Sequence, residues 1–160
     1  MRIFFPRTAV GLTMIRRIAS FLGFDPEKPL RKKAAARVLS AMCHVGKCDG
    51  IIAAAEVALI SDTIQRLTGR SFAPTEIMQM ADQTRPNLEP QDYIAFGTGL
   101  RAEEKAVMIH GVLSIAISSG RIFPAEYVFV TTLAHGLGMH GTDFRRMLGL
   151  AIADMNARGA

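Results

Sequence analysis

A chain of 160 residues is the size of one domain and is long enough to bury a core without disulfide or metal staples. Hydrophobic side chains make up 49% and charged ones 21%, which excludes a disordered chain. An aromatic share of 7%, beside abundant Ala, Leu, Ile and Met, favours helix over sheet. The net charge of +5 is lodged at one end: residues 1–33 hold eight basic and two acidic side chains, and the remainder is close to neutral. A body that is not basic gives no reason to expect nucleic acid as a partner.

In chain order, the first element is a short amphipathic helix within a basic arm, residues 1–32. Met14, Ile15, Ile18 and Leu22 share one face with Phe21 at its edge, while Arg16, Arg17 and Ser20 face away. Phe24-Asp25-Pro26 closes it, because the residue before a proline is pushed out of the helical region. The eight apolar-rich residues between Arg7 and Arg16 are too few to cross a bilayer, which takes about 20. A secretory signal also fits poorly. Three roles fit the arm: packing on the body, peripheral attachment to an anionic membrane surface, or a cleaved targeting segment. The second role uses Arg16, Arg17, Lys32 and Lys33 as contact residues. Met14 also offers an internal start, so residues 1–13 are not certain to be present in the native protein.

The body, residues 33–160, repeats itself with a shift of 70 residues. That shift places Ala36 on Ala106, Gly50 on Gly120, Ile52 on Ile122, Glu56 on Glu126 and Leu67 on Leu137. The shared pattern is a long helix, a glycine turn, then Ile-x-x-x-Glu opening a second helix, and it predicts two copies of one helix hairpin. Apolar stripes follow: Val38, Met42 and Val45; then Val57, Ile60, Ile64 and Leu67. The second copy gives Met108, Val112, Ile115 and Ala116, then Val130, Leu133, Ala134 and Leu137. Between the copies, Pro74 with Glu76 opens a short helix, and Glu89-Pro90 opens another that Gly97-Thr98-Gly99 closes. A last stripe runs through Phe144, Met147, Leu148, Ala151 and Met155. The fold class is all-α.

The first turn, Asp49-Gly50-x-Ile52-x-x-x-Glu56, matches the second half of a calcium loop. Its first half is missing, since Val45 and Lys47 stand where such a loop needs oxygen ligands. In the second copy those places hold Ile115 and Ile117, and Ser119 replaces the aspartate. Neither loop is a calcium site by itself. Gly50 and Gly120 suit a left-handed helix end, and Glu56 and Glu126 suit the capping of the next helix. A shared site built by Asp49, Glu56 and Glu126, with a divalent cation as the candidate cofactor, requires the two turns to lie side by side.

Cys43 and Cys48 make no disulfide framework and no zinc pattern, and read as buried thiols of a reducing compartment. His44, His110, His135 and His140 occupy unrelated places in the repeat. There is no phosphate-cradling glycine loop, no Gly-x-Ser-x-Gly elbow and no His-Glu-x-x-His. The chain therefore reads as non-enzymatic. The alternative class is a small metal-dependent enzyme using Asp49, Glu56 and a histidine, His44 or His110, around an open cleft.

Lys47-Cys48-Asp49-Gly50-x-Ile52-x-x-x-Glu56 after an Ala/Val-rich helix resembles the signature of the tellurite-resistance TerB-like family. Leu100-Arg-Ala-Glu103-Glu104-Lys105 leading into Ser119-Gly120-x-Ile122-x-x-x-Glu126 is similar to its second half. This is also the domain type at the N-terminus of the DjlA membrane co-chaperone. The resemblance covers roughly residues 33–150 and implies a compact bundle of about seven helices with internal pseudo-symmetry. It further implies a stress-response role in protein interaction near the cytoplasmic face of a membrane, and divalent-cation binding through Asp49, Glu56 and Glu126. Ser119 departs from the aspartate usual at its position. No J-domain pattern accompanies the motif, so chaperone recruitment is not implied.

Overall fold

Apolar residues spaced three and four apart must close on one another once the chain is helical, and four such stripes do so here. Every residue of the four stripes across the two copies is buried. The structure, a computed structural model, describes residues 28–158. Among the described residues there are seven helices and no strand. They are α1 (Lys32–Gly46), α2 (Ala54–Thr68), α3 (Pro74–Asp82), α4 (Pro90–Phe96), α5 (Ala102–Ala116), α6 (Pro124–Gly136) and α7 (Gly141–Arg158). The amphipathic stretch with Arg16 and Arg17 lies outside the described residues, as does the side chain of Met155.

The repeat is a fact of the fold. α1 and α5 begin 70 residues apart, as do α2 and α6. α1 and α5 form the most extensive contact between helices, and each also packs on the partner helix of its own hairpin. Gly111 permits the close approach, since a Cβ there would stand 3.1 Å from the Met42 sulfur. α3 packs on α1 as α7 packs on α5, and α7 adds Met147 and Ala151 to the core. α4 has no counterpart among the described residues. It packs against α6.

The two turns share their backbone geometry at the glycine. Gly50 and Gly120 adopt φ of 98° and 91°, the left-handed region that glycine enters without strain. Their N–H groups donate to the carbonyls of Lys47 and Ile117 at 2.8 and 2.9 Å. Ahead of each glycine the chemistry differs: Asp49 Oδ1 accepts from the Ile51 N–H at 3.4 Å, whereas the Ser119 hydroxyl donates to the Arg121 carbonyl at 3.1 Å.

Four of the helix starts follow one rule. In α3, α4, α5 and α6 the third residue is a carboxylate (Glu76, Asp92, Glu104, Glu126) that accepts the backbone N–H just before the helix, at 2.8 to 3.0 Å. α3, α4 and α6 also begin at proline, where no N–H is lost. The contacts of the body begin before residue 33. Leu30 lies in the core and donates its N–H to Thr68 O at 2.9 Å, and Arg31 reaches across to α5. There Nε of Arg31 binds Oε2 of Glu104 at 2.9 Å, and its second guanidinium arm also binds the Gly99 carbonyl at 2.9 Å.

Candidate functional site

The glycine turns send α2 and α6 back along the bundle, so both helices start at the same end of the molecule. Glu56 and Glu126 stand in the equivalent first turns, half-buried, while Asp49 is exposed. The end of α1 makes room for the first of them: a Cβ on Gly46 would lie 3.7 Å from Glu56 Oε2. The three carboxylates lie close enough to repel one another. Burial first, and then the Asp49 charge, raises the pKa of Glu56 above its ordinary 4.5 against the opposing Ala53 N–H. Burial also raises that of Glu126; the Asp49 and Glu56 charges add to it, and the Phe123 N–H opposes. Each turn thus places one glutamate at this end of the bundle. Among the described residues, however, no group of three or more His, Cys, Asp or Glu is arranged to hold a metal ion.

The histidines stand elsewhere. His110 is buried within α5 at 5% exposure. His44 is half-buried near the end of α1, and its charged neighbours are Arg85, Asp92 and Lys47 rather than the three acids. Its ring lies stacked on Phe129, with centroids 6.2 Å apart and planes 12° apart, and edge-on to Phe96 at 5.1 Å. Nδ1–H donates to the Ser40 carbonyl at 2.7 Å, since a carbonyl can only accept. Burial holds the pKa below the ordinary 6.5, against the pull of that carbonyl, and the Arg85 and Lys47 charges add to the lowering, so the ring is neutral at pH 7.

His44 forms part of a groove of about 640 Å³ between the end of α1, the α3–α4 connection, α4 and the start of α6. Tyr93 and Phe129 supply an aromatic wall, with ring centroids 5.6 Å apart, and Val128 stands at the rim, 59% exposed. Lys47 spans from α1 to the end of α3, where its ammonium donates to the Ala81 carbonyl at 3.1 Å. Asp49, Glu56 and Glu126 do not line the groove. Of the cysteines, Cys43 is fully buried, as expected, and Cys48 is only half-buried. Burial pushes the Cys43 thiol up to about 12, and burial with the Glu126 and Asp49 charges pushes the Cys48 thiol up to about 11. Neither thiol is a nucleophile at neutral pH.

A family model described as tellurite resistance protein TerB matches residues 34–148. The chain belongs to the TerB family. No curated protein and no solved structure gives a significant match. The TerB match takes in both glycine turns, all three acids and the groove, and leaves the basic arm outside it. TerB is an all-α fold, in agreement with the seven helices. The chain is thus a tellurite-resistance-like helical module of the TerB kind, and that family is not generally one of enzymes. No described helix is long and apolar enough to cross a membrane.

Two features of this TerB domain escape a reading of its sequence. The Arg31–Glu104 pair joins residues 73 apart, and a carboxylate in a first helical turn reads simply as a cap. The groove depends on where α4 lands, which no periodicity specifies.

Proposed function

We propose that the protein is a non-enzymatic interaction module whose acidic edge, Asp49, Glu56 and Glu126, attracts a divalent cation weakly and through water. The observation that carries this reading is the placement of half-buried Glu56 and Glu126 in equivalent first turns at one end of the bundle, with Asp49 near enough to raise the pKa of both. A cation relieves the repulsion among them. Hard cations take at least six oxygens, so the carboxylates need water to complete the shell, and affinity on the order of 1 mM is expected.

The sign of the pH effect follows from the raised pKa values. Stability contributed by protonated Glu56 and Glu126 is fully present below pH 4.5, their ordinary value, and is lost as the pH rises through their folded values. A bound cation restores it. At pH 7, 10 mM calcium is expected to stabilise the fold by about 1.4 kcal/mol, or roughly 4 °C in thermal midpoint, with no such gain at pH 4. Glu126→Gln should abolish the calcium response. A midpoint unmoved by calcium, magnesium or manganese leaves the acids as helix caps only.

The basic arm is proposed to hold the module at an anionic membrane surface on the cytoplasmic face. In support, α1 opens with exposed Lys32 and Lys33 and has no acidic residue in its first turn. Cations at the positive end of a helix are unfavourable, and an anionic headgroup offsets them. Vesicle flotation with anionic lipid should fall at least tenfold when Arg16→Glu and Arg17→Glu are combined, at about 1 kcal/mol per basic residue. Equal flotation counts against the arm.

A further inference from the structure

The groove beside His44 carries a chemistry that the acidic edge does not. We infer that it binds a small organic anion with a flat aromatic body, of the class of an aryl carboxylate. A groove of about 640 Å³ is the size of a small-molecule site, which runs to about 300–1,000 Å³. Its wall is aromatic and fixed. Tyr93 leans on Phe129, which stacks on His44, and the His44 ring is locked by the Ser40 carbonyl. Such a wall offers a planar ring a stacking surface without first having to be ordered.

The anion is selected locally, at Lys47, since Asp49 and Glu126 lie outside the groove but act on Cys48 in its wall. None of the described lining residues is acidic, whereas Lys47 and Arg85 are both present. Arg85 is paired with Asp92 at 2.6 Å. Lys47 has no carboxylate within ion-pair distance among the described residues, and its one hydrogen bond goes to the Ala81 carbonyl. That leaves further N–H donors on an ammonium already held in place between α1 and α3. The first turn of α6 forms part of the opposite wall through Pro124 and Ala125, but its positive end is already met by the Glu126 carboxylate, so the anion depends on Lys47. A carboxylate set on Lys47 and a ring laid against Tyr93, which Phe129 backs from the core, satisfy both features at once.

The test is a ¹⁵N–¹H NMR titration of the full chain in metal-free buffer with 2-naphthoate, beside its neutral counterpart 2-naphthamide. Saturable shifts are expected at the amides of Lys47, Tyr93 and Val128, with naphthoate bound about tenfold more tightly than naphthamide. Lys47→Gln should erase that preference while naphthamide still binds. Val128→Trp, at the exposed rim, should block both probes. Both positions are at least partly exposed, and retained amide dispersion checks their fold. Absence of saturable shifts, equal binding of the two probes to the native chain, or a preference that survives Lys47→Gln overturns the inference. This outcome is independent of the cation response, which is read without an aryl probe.

Discussion

Replacing Glu104 with alanine is expected to destabilise the domain by about 2 kcal/mol, a loss of roughly 6–8 °C in thermal midpoint. The carboxylate is only 3% exposed and binds the Arg31 guanidinium through both oxygens while accepting the Arg101 N–H. Charge-assisted hydrogen bonds of this kind are among the stronger ones. The loss stays below the 3–5 kcal/mol of a fully buried pair because the Arg31 side chain is 42% exposed and can rehydrate. Burial works against the Glu104 charge, but Arg31 and the Arg101 N–H outweigh it and hold the carboxyl below its ordinary 4.5. A depressed folded value means that the stabilisation is present above pH 4.5 and is lost as the pH falls through the folded value. The deficit of Glu104→Ala, measured by urea unfolding, should therefore shrink in acid. A deficit that is unchanged between pH 7 and pH 3 would show that the carboxylate acts through packing alone.

Gly136→Ala is expected to cost more, about 3 kcal/mol. A Cβ at Gly136 would lie 2.9 Å from both the carbonyl carbon and the Cβ of Tyr93, and 3.0 Å from its carbonyl oxygen. Backbone cannot swing aside as a side chain can, so α4 must shift from α6, with overpacking of the kind that costs up to about 3 kcal/mol. Alanine gains little helix propensity there because Gly136 is the last residue of α6. Gly111→Ala is the control. Its Cβ would meet the Met42 thioether at 3.1 Å and a Leu67 methyl at 3.3 Å, both flexible, and should cost less than about 1 kcal/mol. Equal losses for the two variants would contradict a rigid seam between α4 and α6.

The helices were legible because each stripe repeats at the helical period, and the duplication was legible because both copies preserve the same spacing. Tyr127-Val128-Phe129-Val130 is strand-like in composition yet lies within α6, whose start Pro124 and Glu126 mark. Burial within that stretch explains the ambiguity: Tyr127 and Val128 are exposed, while Phe129 and Val130 are in the core. That both turns stand at one end was not legible, because a repeat does not specify whether its copies pack parallel; the Arg31–Glu104 contact between the starts of α1 and α5 shows that they do. His44 was not legible as a groove residue. A histidine amid Ala, Cys and Val on a helix is indistinguishable from a packed one until Phe96 and Phe129 are brought to it by α4 and α6. Gly136 was equally silent, since a glycine near a helix end reads as a terminator and not as a seat for a neighbouring backbone.

The union of Leu30 with Thr68 fixes where the first described residues leave the body, at the far end of α2 from Glu56. Glu56 and Thr68 stand twelve positions apart along α2, a spacing of about 18 Å along the axis. A contact made through the chain ahead of Leu30 and one made through the carboxylates would therefore fall at opposite ends of α2.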